Sequence, residues 1–375
     1  MFSRYVIYTR NRDGVFTHRL NDVSSVKMLE KVNDVGSWTI TSTTPDKPPF
    51  EAGDGIVIFK NNAVQYSGVL NKITSDYDGY NRLYKWTSYG QNDLVYLSRR
   101  VCHPDPVSLT TDEDSHYTDT GTLGAVVARL IDKNAGVDAN AARKIPFLEA
   151  TVVKDAGTSV SVSLRFDNLL KTVQSLLEDQ AFVITPVWNP DTKKLHYEIS
   201  AGADASDKLV FSTALNQIQT LKYSLMAPTG NYVISAGQGQ QTSRYFAYAE
   251  NDESIDQWGR IEAYHDMRST ADADLQADAD AFLINSQTNE GYSALLNSGA
   301  TDGYKRIWNL GDDVGIVVDG KTYRSRLLQV ETALDYDTET VTPTVGTIDK
   351  GQLNPIFESL DGLRSDVNQL LKVSD

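Results

Sequence analysis

Residues 53–77 read GDGIVIFKNNAVQYSGVLNKITSDY, and residues 311–336 read GDDVGIVVDGKTYRSRLLQVETALDY. Each opens on Gly-Asp, runs through an apolar stretch, breaks at a polar pair and continues into a second stretch that closes on Asp-Tyr. Gly53 to Ser67 and Gly311 to Ser325 are equal intervals of fourteen positions, and Leu70 matches Leu328; the second copy gains one residue near its end. The polar pair is Asn61-Asn62 in one copy and Asp319-Gly320 in the other. Such pairs supply the positive φ angles of a two-residue turn between antiparallel strands. The copies lie 258 residues apart, too far for a solenoid period. The repeat therefore predicts two similar β-barrels, each holding one of these hairpins, on either side of a different middle.

The flanks and the middle read differently. Tyr5-Val6-Ile7-Tyr8 alternates as a strand, and Asn11-Arg12-Asp13-Gly14 predicts a type I′ turn after it. Gly36-Ser37-Trp38-Thr39-Ile40 starts another strand, and the prolines of Thr44–Pro49 mark a loop. From residue 104 the composition changes. Asp105 to Asp119 is a polar, acidic loop. Thr122–Asn134 places Leu123, Val126, Val127, Leu130 and Ile131 on one helical face, and Phe166–Gln180 repeats that pattern. Phe182–Ile199 predicts a hairpin turning at Asn189-Pro190-Asp191, and Asn231–Gly237 a strand. Ala271–Ser286 predicts a helix with Asp272, Asp274, Asp278 and Asp280 on an acidic face. The expected fold class is α+β and multidomain. Residues 1–103 form the first β-barrel and 104–290 an α+β middle. Residues 291–350 form the second barrel, with strands borrowed from the middle, and 351–375 a short C-terminal helix.

That last helix carries a seam. Leu353, Ile356, Leu360, Leu363, Val367 and Leu370 are spaced 3, 4, 3, 4, 3, an a/d pattern whose residue choices favour three or four strands over two. Two readings stay open: a short trimer-contact coiled coil, or an amphipathic helix docked on its own domain.

Composition narrows the function. The 375 residues include 50 acidic and 35 basic side chains, a net charge of −15, and 40% are hydrophobic. The apolar content supports a real core and excludes disorder of the whole. The acidic surplus argues against a general nucleic-acid surface, which needs cations facing phosphates. No apolar run approaches the roughly 20 residues of a membrane span. The N-terminal stretch has no signal-peptide core, so synthesis and use without Sec export are expected. A single cysteine, Cys102, excludes an intrachain disulfide and a cysteine-based zinc site.

The motifs that resemble chemistry fail on context. Gly315–Thr322 matches the nucleotide-binding pattern G-x4-G-K-T, but the pattern needs a helix after the loop. Here the repeat makes Asp319-Gly320 a hairpin turn. Gly237-Gln238-Gly239 lacks the third glycine of a dinucleotide fingerprint, with Thr242 in its place. His18, His103, His116, His196 and His265 have no metal-ligand spacing, and Cys102-His103 point apart in an extended chain. Asp112, Glu113, Asp114, His116 and Asp119 could surround a calcium ion, but they lack the regular 1-3-5 spacing with a fixed glycine, so a solvated loop is expected. No catalytic constellation and no cofactor site emerge.

The order of these short motifs resembles one family. Arg10 with Asp13-Gly14, Gly36-Ser37-Trp38 and Gly53-Asp54…Ser67-Gly68 come first. Arg165–Leu170, Asn231–Gly239 with Arg244, and the closing Gly311-Asp312 strand pair follow. Together they resemble the tail-associated hub proteins of long-tailed siphophages, similar in fold to the hub of contractile T-even phages. In length and order they are most similar to the short form of lactococcal siphophages. The resemblance implies a virion protein, not an enzyme. It implies a homotrimer in which two barrels per chain give a six-barrel ring that docks on a hexameric distal tail ring protein. Tape measure and receptor-binding proteins are the further partners it implies, and closure of the tail tip with opening for DNA ejection is the role. Long members continue into a lytic or fibre module; this chain stops soon after its seam, so no hydrolase is expected. The rival reading is a tail protein that binds or cleaves host-wall glycan, suggested by 19 Tyr, 5 Trp and the acidic surplus.

Overall fold

The computed structural model describes residues 5–109, 116–239, 243–267, 275–286, 289–297, 303–335 and 338–346. The chain divides into two compact units. The first comprises Met1–Thr220 with Ala294–Val345, and the second Leu221–Ser293 with Gly346–Asp375.

The first unit is organised by one long sheet. Its neighbouring strands run Phe16–Leu20, Tyr5–Arg10, Gly55–Lys60, Ala63–Asp78, Leu83–Asn92, Asp34–Thr44, Val23–Lys31, Lys321–Asp335 and Thr338–Gly346. Alternation explains these strands: in Asp34–Thr44, Gly36, Trp38, Ile40 and Ser42 turn inward while their neighbours face outward. Both expected hairpins are present and antiparallel, Gly55–Lys60 with Ala63–Asp78 and Asp313–Val318 with Lys321–Asp335. They lie in the same sheet, because Gln329–Asp335 of the second copy pairs with Ser25–Lys31. Leu334 accordingly packs into the core of the first copy, beside Val26, Met28, Trp38, Ile40, Ile56 and Trp86.

A second core lies in the same unit. The helices Leu123–Asn134 and Leu169–Glu178 bury Leu123, Val126, Val127, Leu130 and Ile131 on one and Leu169, Leu170, Val173 and Leu177 on the other. The expected periodicity is thus the buried face. Asn168 starts the second helix by accepting the backbone N–H of Lys171. These helices pack with the hairpin Phe182–Asn189 and Lys194–Ala201, which turns around Asn189-Pro190-Asp191 as its residues dictate. The acidic loop ends earlier than expected, because Tyr117–Thr122 is a strand paired with Ser159–Leu164.

Local chemistry differs from expectation at Asp13-Gly14. Only Gly14 has a positive φ, +81°. The Asn11 carbonyl accepts the Gly14 N–H, and the Asn11 side chain accepts the N–H groups of Asp13 and Val15. The connection is a longer loop ending in a left-handed glycine rather than a type I′ turn, because the Asn11 amide supplies the acceptor that closes it.

In the second unit Tyr232–Ala236 is the central strand, antiparallel to Phe246–Glu250 and parallel to Glu262–Asp266. The helix Leu275–Asn285 covers one face, setting Leu275, Ala279, Phe282 and Leu283 against Val233, Ala247, Ala249 and Ala263. Asp272 and Asp274 of the expected acidic face lie outside the described residues.

Candidate functional site

The duplicated stretch folds into the same corner twice. Gly53 and Gly311 have φ +91° and +90°. The carboxylate of Asp54 accepts the N–H of Glu51 at 2.8 Å, and that of Asp312 accepts the N–H of Asn309 at 2.7 Å. The N–H groups of Asp54 and Asp312 donate back to the carbonyls of Glu51 and Asn309. The Asp54 carbonyl accepts the Leu70 N–H at 2.9 Å, and the Asp312 carbonyl that of Leu327 at the same distance. Both hairpins then turn on two residues of positive φ, Asn61-Asn62 and Asp319-Gly320.

The strand register corrects the sequence alignment. Ile56 pairs with Gly68 and Val314 with Ser325, so Ser325 stands at the place of Gly68, and Leu327 rather than Leu328 at that of Leu70. A bulge in the first copy is the reason. Its register slips between Ile58–Tyr66 and Phe59–Val64, leaving Gln65 as an extra residue. Equal spacing in sequence concealed an insertion because a bulge lengthens one strand without moving the turn.

Each corner is held by a buried arginine. Arg10 is 1% exposed and bonds Asp93 at 2.5 Å. Its guanidinium also lies 4.9 Å from the Phe147 ring and 4.6 Å from Trp188. The other carboxylate oxygen of Asp93 accepts the Ser67 hydroxyl at 2.6 Å, and the Tyr197 hydroxyl donates to the Asp93 carbonyl at 2.8 Å. Burial pushes the Asp93 carboxyl above its ordinary range while Arg10 and Ser67 oppose that shift. Arg326 serves the second corner, donating to the carbonyls of Gly311 at 2.8 Å and Ala181 at 2.6 Å. These groups hold strands together; both oxygens of Asp93 are engaged, which leaves no lone carboxylate for acid–base work.

A cleft of about 430 Å³ lies where the two copies and the Phe182–Ala201 hairpin approach each other. The Gln65 bulge, the strand Val183–Trp188 and the Asn309–Asp312 corner line it. Four of its charged side chains are paired with each other. Lys305 reaches Glu30 at 2.8 Å and the Gln65 carbonyl at 2.5 Å, Tyr304 donates to Glu30 at 2.8 Å, and Lys154 meets Glu198 at 2.5 Å. Burial raises the Tyr66 and Tyr304 hydroxyls well above their ordinary range, and the Glu30 carboxylate adds to this. Both stay neutral. The cleft thus combines two ion pairs with the neutral hydroxyls of Tyr66 and Tyr304.

The remaining sequence candidates scatter. In the acidic cluster, Asp119 forms a two-bond pair with Arg129, each contact 2.8 Å, while Asp112, Glu113 and Asp114 lie outside the described residues. Among the described residues no group of three or more acidic, histidine or cysteine side chains is placed to hold a metal ion. Cys102 is buried beside Thr172, at 3.8 Å, and burial pushes its thiol up to about 11. The nucleotide-loop match runs strand, turn, strand, with Lys321 opening the second strand. Leu353, Ile356, Leu360, Leu363, Val367 and Leu370 all fall outside the described residues. Sequence reasoning missed the roles of Arg10, Asp93 and Arg326. Arg10 and Arg326, single charges at the end of one strand and within another, were the signal available for the arginines, while Asp93 sits in the turn after Leu83–Asn92.

The family model described as Siphovirus ReqiPepy6 Gp37-like protein matches residues 6–347. Three solved structures share the fold at low sequence identity. A prophage tail protein gp18 from Listeria monocytogenes EGD-e aligns with TM-score 0.56 and 12% identity, over 99% of this chain and 100% of that one. The tail protein from Neisseria meningitidis MC58 gives 0.56 and 12%, over 92% and 96%. The 43 kDa tail protein of prophage MuSo2 from Shewanella oneidensis gives 0.55 and 11%, over 91% and 96%. No curated protein matches the chain.

Proposed function

Because the chain belongs to the Siphovirus ReqiPepy6 Gp37-like family, we propose that it is a structural protein of a phage tail, and more specifically the trimeric hub that closes the tail tip. The duplicated Gly-Asp corner is the observation that carries this reading. Two like hairpins per chain, held in one sheet in which the second pairs with the Val23–Lys31 strand, would give three chains six similar corners. A threefold assembly could in this way meet a hexameric distal tail ring without breaking its own symmetry. Residues 351–375 then supply a local three-stranded contact below that ring. Opening of the tip lets DNA pass, and the net charge of −15 keeps a conduit from holding the phosphate backbone. On this reading the protein sits at the distal end of the tail, with tape measure and receptor-binding proteins as neighbours, and acts without catalysis.

The test is mass in solution, by sedimentation of the intact chain at micromolar concentration, alone and with the candidate tail-ring protein. A trimer that binds one hexameric ring is expected. A monomer or dimer under both conditions, and in assembled tails, overturns the hub reading.

A further inference from the structure

The second unit carries a surface that the hub reading does not use. Among the described residues, the helix Leu275–Asn285 covers one face of its sheet. On the other face, directly paired residues line up across the strands: Tyr248, Ile234 and Tyr264 in one row, and Glu250, Tyr232 and Glu262 in the next. Tyr248 and Tyr264 are more than half exposed, at 53% and 57%. Three aromatic side chains on an open face exceed the single exposed apolar residues that any protein surface tolerates.

The sequence of the second unit is acidic. Residues 221–293 contain eleven acidic and four basic side chains, a net −7 of the chain's −15. Glu250 continues directly into Asp252, Glu253 and Asp256 of the adjoining helix. The face also displays how it receives a guanidinium. Arg260 lies 3.5 Å over the Tyr232 ring and bonds Glu262 at 2.9 Å. Arg244 takes the Tyr264 hydroxyl at 2.9 Å and pairs with Asp266. Arg260 joins a tyrosine ring to a carboxylate, the combination that suits a planar cation with a stacking face and a hydrogen-bonding edge, while Arg244 also donates to the carbonyls of Ala236 and Gly237. Tyr248 and Glu250, two positions apart on an outward-facing strand, repeat the combination with no arginine of this chain described against them.

We propose that this face docks a basic protein surface, with an arginine of the partner seated between Tyr248 and Glu250. Aromatic area gives the contact its apolar centre, and the acidic rim steers a positively charged partner towards it. The surface is separate from the duplicated corners, so it adds a contact whether or not three chains assemble through them.

The probe is a short synthetic peptide carrying two arginines spaced by glycine and serine, labelled for fluorescence anisotropy and titrated with the intact chain. A lysine version and the neutral sugar chitohexaose are run in parallel. The arginine peptide is expected to bind more tightly than the lysine peptide. Tyr248→Ser is expected to weaken it by about 3- to 10-fold and to erase the preference for arginine. Glu250→Gln, which keeps the side-chain shape, provides the second variant should Tyr248→Ser fold poorly, and is expected to weaken binding similarly. Tyr89→Ser, at an exposed tyrosine of the first unit, is expected to change nothing. Equal binding of the arginine and lysine peptides overturns the proposal, as does binding unaffected by Tyr248→Ser and Glu250→Gln. Binding of chitohexaose in place of the peptide assigns the face to glycan and overturns it too. Loss of the chain's own oligomer in Tyr248→Ser assigns it to a second copy, with the same consequence.

Discussion

Gly53 and Gly311, 258 residues apart, hold the same left-handed backbone conformation at φ +91° and +90°. Their surroundings are not the same. A Cβ on Gly53 would stand 2.2 Å from the Arg12 side chain, which can swing away, while one on Gly311 would stand 2.3 Å from a methyl of Val183. Gly53→Ala should cost the conformational penalty of about 1–2 kcal/mol. Gly311→Ala should add an overpacking cost of about 1–3 kcal/mol. Denaturant unfolding of both variants checks the order; equal costs would mean that the second corner is looser than its geometry.

Asp93 and Arg10 form a pair that cannot be halved. Asp93→Ala leaves the guanidinium buried among Phe147 and Trp188 and should destabilise the chain by about 3–5 kcal/mol. The same range applies to Arg10→Ala, since it leaves the carboxylate unpaired. Because each variant removes the same interaction, their costs should be strongly non-additive in a double-mutant cycle. Simple addition in that cycle would refute the coupling.

Cys102 should be inert in the folded chain. With its thiol pushed up to about 11, about 0.1% is thiolate at pH 8, and the side chain is buried. Alkylation with iodoacetamide at pH 8 should follow global unfolding, rising only across the denaturant transition. The sign of the linkage is the same as for any acid raised by folding. The contribution is constant below the thiol's ordinary range and stability falls as pH climbs from there towards about 11. Rapid labelling in buffer would refute the burial.

Under the proposed hub, the terminal seam bears on assembly rather than on the sheet of the first unit. Deleting residues 352–375, or replacing Leu360 and Leu363 together by Asp, should weaken the proposed trimer without lowering the unfolding midpoint of the first unit, since charges at a and d positions resist burial. Sedimentation and a thermal melt read the two effects separately. A trimer unchanged by the double substitution would leave the helix docked on its own subunit.

By itself the sequence determined the elements whose information is local. The amphipathic faces of Leu123–Asn134 and Leu169–Glu178 were legible because helical period alone places their apolar residues together. The two hairpins were legible because Asn61-Asn62 and Asp319-Gly320 are among the few pairs that accept two positive φ angles. The family resemblance rested on the order of such local signals. Tertiary structure alone decided the register, since a bulge at Gln65 changes pairing without changing the alternation that announces a strand. It alone joined the two copies into one sheet through Val23–Lys31, because strand pairing between residues some 300 positions apart leaves no periodic mark in either partner. It also brought Arg10 to Asp93 and gathered Tyr232, Tyr248 and Tyr264 on one open face. A lone charge in an apolar strand, or a single tyrosine in each of three strands, acquires its meaning only from the side chains that folding sets beside it.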